Sequence, residues 1–387
     1  MPMSAVNIKV EQGHKMEKKK VGIVTFHMAE NFGSVLQAFA LEHFLIHMGC
    51  EPEIVNCILK SDMEQYRLFR INLYCKRPRA LAADILYFYR NLKRKKRFAE
   101  FRKRHLIISG DMYCAGRDEL SGLNLKYDAF ICGSDQIWNI NCTNRFVSEF
   151  FLSFAENQKK KIAYAPSMPS AVPSVYHKDI KEAIERLDFV SVREKNTIQY
   201  LNGEIGIKKE ILHAADPTLL IDSDVYIREF GLKKCNTKYI FVYALEDGKQ
   251  SIRQIADLAL KVSEKEGLKI KYIYNRTIKK LKKAEYMLGI GPIGFLDLIY
   301  NASYVITNSF HAVVFSIHFQ VPFCSLKREG SQLRVTELLE NLGLQDNLYS
   351  EGDYEWMASK ADFIVKEKAE RMIRASKKYL YSSLDVE

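Results

Sequence analysis

His311 lies between an apolar run of strand length, Tyr304–Thr307, and an apolar run of helical length, Val313–Phe319. Asn308, Ser309, Phe310 and His311 therefore fall on the turn from a strand end to a helix start. Free backbone N–H groups and the positive end of a helix dipole collect at such a turn, so anions bind there. An imidazole in that place can hold an anion or move a proton near neutral pH. The competing reading is a histidine satisfied inside the core.

Three further segments carry comparable chemistry. Asn31, Gly33 and Ser34, with Gln37 one helical turn on, follow the apolar run Val21–Phe26. Glycine permits close backbone approach, and Ser34 can cap the helix that follows. No lysine follows the glycine, so this is not a Walker loop. A plain capped turn would explain the pattern equally well. His27, at the end of the same run, is a weaker second histidine. Gly133, Ser134 and Asp135 follow the run Tyr127–Cys132, with Gln136, Trp138 and Asn139 behind them. Such groups could bind a sugar by hydrogen bonds and indole stacking. The alternative is a capped helix start with Trp138 as a core anchor. Arg193 stands at the end of Phe189–Val192, where a guanidinium suits a carboxylate or phosphate. An ion pair with Glu194 or Asp188 is the local alternative.

Alternating elements must position these segments. Strand-like runs at 21–26, 53–56, 127–132, 162–165 and 189–192 are interleaved with helical spacing, notably Ser34–Met48. A break near Asp216–Lys238 follows. The rhythm restarts with strands at 239–245, 270–274, 304–307 and 322–326 and helices at 251–267, 295–302 and 331–342. This is the pattern of parallel sheets covered by helices on both faces. It predicts an α/β protein of two doubly wound, Rossmann-like domains facing a cleft. We expect a disordered tail over 1–18, an N-terminal domain over 19–222 and a C-terminal domain over 223–350. A basic helical insert should span 62–106, and a helical segment 351–387.

The chain has 387 residues, 47% of them hydrophobic, and a formal net charge of +11. That composition is globular. No apolar run has the length of a membrane span, and Met1–Lys18 has no cleavable apolar core, so a cytoplasmic protein is expected. Eight cysteines show no C-x-x-C pair, which favours reduced thiols, and no cluster has zinc spacing, so no metal is expected. Between Lys76 and Arg104, twelve Lys or Arg face two acids, with five aromatics interleaved. A solvated basic helix face is the first reading of that stretch, and a peripheral patch on anionic membrane over 76–104 the second. No motif for specific nucleic-acid binding accompanies it.

Taken in order, these segments resemble the polysaccharide pyruvyl transferase family. The residues that carry the resemblance are Gly22–His27, Asn31–Ala38, Tyr127–Asn139, Ser191–Glu194, Asp216–Leu219, Gly291–Pro292 with Phe295–Leu296, and Thr307–His311. The resemblance implies a glycosyltransferase-B-like fold. It also implies transfer of the enolpyruvyl unit of phosphoenolpyruvate to a sugar of a surface-polysaccharide precursor, leaving a pyruvate ketal. On that reading Arg193 binds the donor anion and His311 is acid, base or phosphate partner. Asn31, Gly33, Ser34, Gln37, Gly133, Ser134, Asp135, Asn308, Ser309 and Arg334 contact substrate, and no cofactor is needed. The acceptor would be a sugar nucleotide or a lipid-linked saccharide. Several members carry an arginine where this chain has Ser309; Lys327, Arg328 or Arg334 could supply that charge. Two other functions fit the same architecture: a glycosyltransferase using a nucleotide-sugar, and a non-catalytic glycan-binding protein at the membrane surface.

Overall fold

A computed structural model describes residues 18–69, 74, 79–116, 119–169, 171–245, 248–274, 278–327, 332–349 and 367–386. The expected tail, apart from Lys18, and Arg328 lie outside these residues.

The first half is built on strands β1 (Lys20–Val24), β2 (Glu51–Ile54), β5 (Ala129–Cys132), β6 (Lys160–Ala163), β7 (Phe189–Val192) and β8 (Leu212–His213). They form one parallel sheet in the order β2-β1-β5-β6-β7-β8. Two short strands, β3 (Cys57–Ile58) and β4 (Tyr113–Cys114), pair beside it. The second half holds β9 (Tyr239–Tyr243), β10 (Lys269–Ile273), β11 (Glu285–Tyr286), β12 (Tyr304–Thr307) and β13 (Phe323–Ser325). These are also parallel, in the order β11-β10-β9-β12-β13. Strands such as Ala129–Cys132 and Tyr239–Tyr243 are buried at every position, as strands covered on both faces must be. The molecule thus has two Rossmann-like units in the glycosyltransferase-B-like arrangement.

The helices of the first half are α1 (Phe32–His47), α2 (Lys60–Gln65), α3 (Arg79–Leu86), α4 (Phe88–His105), α5 (Ile140–Thr143), α6 (His177–Glu185) and α7 (Lys195–Tyr200). Those that follow are α8 (Ser223–Phe230), α9 (Lys249–Glu266), α10 (Pro292–Tyr300), α11 (Phe310–His318), α12 (Gln332–Leu342) and α13 (Glu367–Leu384). Helix α1 starts at Asn31, whose side chain accepts from the Gly33 N–H, and stops before Gly49 at φ +85°. It is apolar almost all round because it lies between layers. One hydrophobic cluster runs from Val21 and Phe39 in the first half to Phe241 and Phe295 in the second. The rings of Phe32 and Phe295 stack across the halves with centroids 4.4 Å apart.

The basic insert packs by one apolar face and leaves much of its basic face to solvent. Helix α4 buries Phe98 and Phe101 and packs on both halves. Phe98 stacks on Phe32 at 5.5 Å, and Arg97 donates to the carbonyl of Gly289 at 2.8 Å. Gly291 lets it come close: a Cβ there would lie 2.5 Å from the Cβ of Arg97. Helix α13 returns to the first sheet. Its Ser376 Oγ accepts from the Ala215 N–H, and its Tyr379 hydroxyl donates to the carbonyl of Ala163.

Candidate functional site

Each sheet has a place where neighbouring strands send their connections to opposite sides, and ligands bind beyond the carboxyl ends there. In the first sheet that place lies between β1 and β5, and in the second between β9 and β12. The two crevices face each other. A Cβ at Gly33, at the start of α1, would lie 2.0 Å from Nδ1 of His311, so only glycine lets the ring sit there. His311 belongs to the first turn of α11 rather than to the turn before it. The amino ends of α1 and α11 therefore converge on one imidazole.

The residue at the centre was not among those singled out for chemistry. Asp216, fully buried, lies with Oδ2 at 2.6 Å from Nη1 of Arg193, 3.6 Å from Nε2 of His311 and 3.4 Å from the Ser134 hydroxyl. Its Oδ1 accepts from the backbone N–H and the hydroxyl of Thr218 at 3.0 and 2.7 Å. Burial pushes its carboxyl up, but His311, Arg193 and Thr218 outweigh burial and hold it below the ordinary carboxylate range. The signal was present in Asp216-Pro217-Thr218, where an Asx-type cap opens a short turn; only the fold brings it to His311.

Arg193 sits differently from the expected open anion ligand. Nε donates to Glu194 at 3.2 Å, Nη1 to Asp216, and the guanidinium lies 4.6 Å over the Phe310 ring. Glu194 is shared with the Ser167 hydroxyl at 2.6 Å. The carboxylates of Asp135, Glu194 and Asp216 all act on this one arginine. Desolvation disfavours its charge, and those carboxylates outweigh that and secure the proton. Nη2 of Arg193 and Nε2 of His311 are buried with no hydrogen-bond partner among the described residues. Orphaned donors of this kind mark a place for water or ligand atoms. A small, partly open pocket of about 20 Å³ beside Arg193, Asp216, Phe310 and Arg334 has room for about one water.

The other expected residues divide into two groups. Ser34 donates to Asp135 at 2.5 Å, tying the Gly33 loop to the Gly133 loop; Asp135 holds its position at φ +70°. Ser134 and Arg334 join the cluster around Asp216. Asn31 caps α1 and lines a larger cavity described below. Ser309 caps α11, accepting from the Ala312 N–H at 3.4 Å. Three residues brace the scaffold instead. Gln37 bonds Thr25 and the Ser34 carbonyl, Gly133 lies against Thr25 and Leu41, and Asn308 bonds the backbone of Leu245. His27 has both ring nitrogens engaged, on the Thr25 carbonyl and Asn56, and burial lowers its pKa, so it is a neutral strut. Trp138 is a core anchor, stacked on Phe151 at 4.8 Å and donating to the Phe150 carbonyl, and offers no sugar platform. Lys327 is exposed.

A polar cavity of about 500 Å³ opens beyond the carboxyl ends of β9 and β10. Asn31 and Glu30 form one wall, Tyr243–Leu245 and Ile273–Tyr274 another. Arg67, Arg90 and Arg94 of the insert close the third. Among the described residues no cluster has the makings of a metal site, and no two cysteines are bonded. No helix among them is long and apolar enough to cross a membrane.

A family model described as polysaccharide pyruvyl transferase matches residues 31–330, most of the chain. The chain belongs to the polysaccharide pyruvyl transferase family. Membership makes it a transferase of polysaccharide synthesis in the broad sense. No curated protein matches it by sequence. Among solved structures it is similar to UDP-N-acetylglucosamine 2-epimerase from Rickettsia bellii, at 11% identity over 95% of this chain and 98% of that one, TM-score 0.49. The UDP-GlcNAc 2-epimerase of Methanocaldococcus jannaschii is similar at 12% identity over 92% of each chain, TM-score 0.49. Likeness at this level says nothing of chemistry, and the fold rests on the strand order and register above.

Proposed function

We propose that this family member transfers the enolpyruvyl group of phosphoenolpyruvate to two hydroxyls of one sugar, releasing phosphate and leaving a cyclic ketal. The observation that carries this reading is the His311–Asp216 pair, held where the two crevices meet. His311 delivers a proton to the vinyl carbon, and C2 becomes an oxocarbenium-like electrophile. A sugar hydroxyl attacks C2 and gives its proton to the imidazole. Phosphate then leaves with its C–O bonding pair, and the second hydroxyl closes the ring. Of the two hydroxyl protons, one ends on the new methyl group and the other on phosphate, so no oxidant or reductant is needed.

Asp216 faces Nε2 and fixes the ring, so a proton carried there is matched by a negative charge. Arg193 acts as a positioning residue: it holds Asp216 and Glu194 and leaves only Nη2 for a ligand. The amino ends of α1 and α11 offset the donor's charge. The reaction takes place on the cytoplasmic side, where phosphoenolpyruvate is available.

Incubation of the purified protein with phosphoenolpyruvate and a panel of sugar nucleotides and lipid-linked saccharides should release phosphate and give a ketal methyl signal by NMR. His311→Ala should lower the rate by at least about 100-fold in protein that still unfolds in one cooperative transition. No ketal across the panel, or an unchanged rate in the variant, overturns the proposal. Stabilisation by a nucleotide-sugar alone, with none by phosphoenolpyruvate, would point to glycosyl transfer instead.

A further inference from the structure

The short turn over residues 215–218 carries Asp216, and its backbone is held by side chains from several elements. The Ala215 N–H donates to Ser376 Oγ of α13 at 2.9 Å, and the Ala215 carbonyl accepts from the Tyr164 hydroxyl at 2.9 Å. The Thr218 carbonyl accepts from the Tyr226 hydroxyl of α8 at 3.0 Å and faces Nε2 of His318 at 2.7 Å. Both lone pairs of that carbonyl are thus engaged. Tyr164, Tyr226 and Ser376 are fully buried. The His318 ring packs against Tyr226 and Phe315, with centroids 5.4 and 5.8 Å away. Burial lowers its pKa against the opposing pull of the Thr218 carbonyl, so it is a neutral ring with its proton on Nε2.

His318 follows His311 by seven residues on α11. Seven residues are two helical turns, so the two side chains leave one face of the helix about 10 Å apart along its axis. His311 meets the side chain of Asp216, and His318 the backbone of Thr218. We propose that His318 is a positioning residue: by tying the far end of α11 to the Asp216 turn, it sets where the His311 ring stands opposite the carboxylate. A single contact would let α11 slide or roll about its first turn. Two contacts along one face remove both motions. Fine placement matters here, because Nε2 of His311 and Oδ2 of Asp216 lie 3.6 Å apart, beyond a good hydrogen bond. At that separation a shift of a few tenths of an ångström decides whether the pair forms. The pair is thereby assembled before a substrate arrives, from a helix of the second half and a turn that closes the first. The effect of His318 on turnover rests on the pyruvyl-transfer reading; its effect on the His311 ring does not.

Two measurements on the full chain test it. The first contains no substrate: the imidazole nitrogen signals of His311, assigned by their loss in His311→Ala, are followed by NMR. His318→Phe keeps the aromatic packing and removes the donor, so it should displace those signals. His318→Gln returns an N–H to the Thr218 carbonyl and should bring them back. The second reads turnover of phosphoenolpyruvate with an accepted sugar. His318→Phe should lower kcat about tenfold while KM stays within about twofold, and His318→Gln should recover most of the loss. Should His318→Phe fail to fold in a thermal melt, His318→Leu is read in its place. His311 signals that stay put without the donor, an equal displacement in His318→Gln, or a change in KM alone overturns the inference. Wild-type protein without turnover overturns pyruvyl transfer, and the ring signals then still decide for or against His318.

Discussion

Asp216 bears on four side chains at once, those of Arg193, His311, Ser134 and Thr218, and its charge state decides whether the centre holds together. A buried carboxylate that loses its charge leaves Arg193 with Glu194 and the more distant Asp135, and removes the negative charge opposite His311. Breaking a buried pair from one side costs about 3–5 kcal/mol, because the remaining charge stays desolvated. Asp216→Asn should therefore destabilise the protein by about 3 kcal/mol in urea unfolding at neutral pH. The sign of the pH dependence follows from the depressed carboxyl. The wild-type contribution is present above the ordinary carboxylate range and is lost as pH falls through the folded-state value. The gap between wild type and variant should accordingly close in strong acid; a constant gap would mean that the charge is not what stabilises. His311 and Arg193 were legible in the sequence because each follows within a few residues of a recognisable strand. Asp216 was not, because its partners lie 23 and 95 residues away along the chain. For Trp138 the sequence left a sugar platform and a core anchor both open; three residues after Asp135, it turns into the core, where its N–H finds the Phe150 carbonyl.

At the scale of elements, α1 and α4 are the pair that joins the two sheets. The end of α4 is pinned to α1 by Glu42, whose Oε1 accepts from the Ile107 N–H at 2.9 Å. Burial pushes this carboxyl up to about 8, against the lowering effect of that bond. A raised folded-state pKa stabilises fully below the ordinary glutamate value and is lost as pH rises through the folded value. Stability should therefore fall between about pH 5 and 8 in the wild type. Glu42→Gln keeps the acceptor oxygen without the charge, so thermal melts across that range should show a flatter profile and a more stable protein at pH 8. An identical slope in the variant would assign the pH dependence elsewhere. Strands β7 and β12 stand where hydrophobic patterning put them, since a strand buried on both faces is a continuous apolar run. The packing of α4 could not be read. Nine Lys or Arg against one acid gave it a basic, solvated face, whereas which layers its other face would meet was not written in the sequence: Phe98 and Phe101 pack on both halves.

For the whole molecule, α13 matters beyond its length. It buries Ala369, Leu380 and Leu384 and lays Tyr379 and Tyr381 against Tyr164, Phe189 and Phe44 of the first half. The two leucines alone contribute about 4 kcal/mol at the usual scale for burying such side chains. A chain ending at residue 366 should show a much lower melting temperature and loss of a single cooperative transition in calorimetry. Unchanged melting would show that the first sheet is complete without the helix.

A ribosome makes this polypeptide from residue 1 upward, and domains made first generally fold first. Here the sheet translated first waits for the last helix. Throughout synthesis of β9 to β13, the aromatic face around Tyr164 and Phe189 has no cover from its own half of the message. The nascent chain must carry that sticky surface until the second sheet has emerged. The two halves are therefore sealed in one late event, and a chaperone that shields the first half during translation has a defined patch to hold.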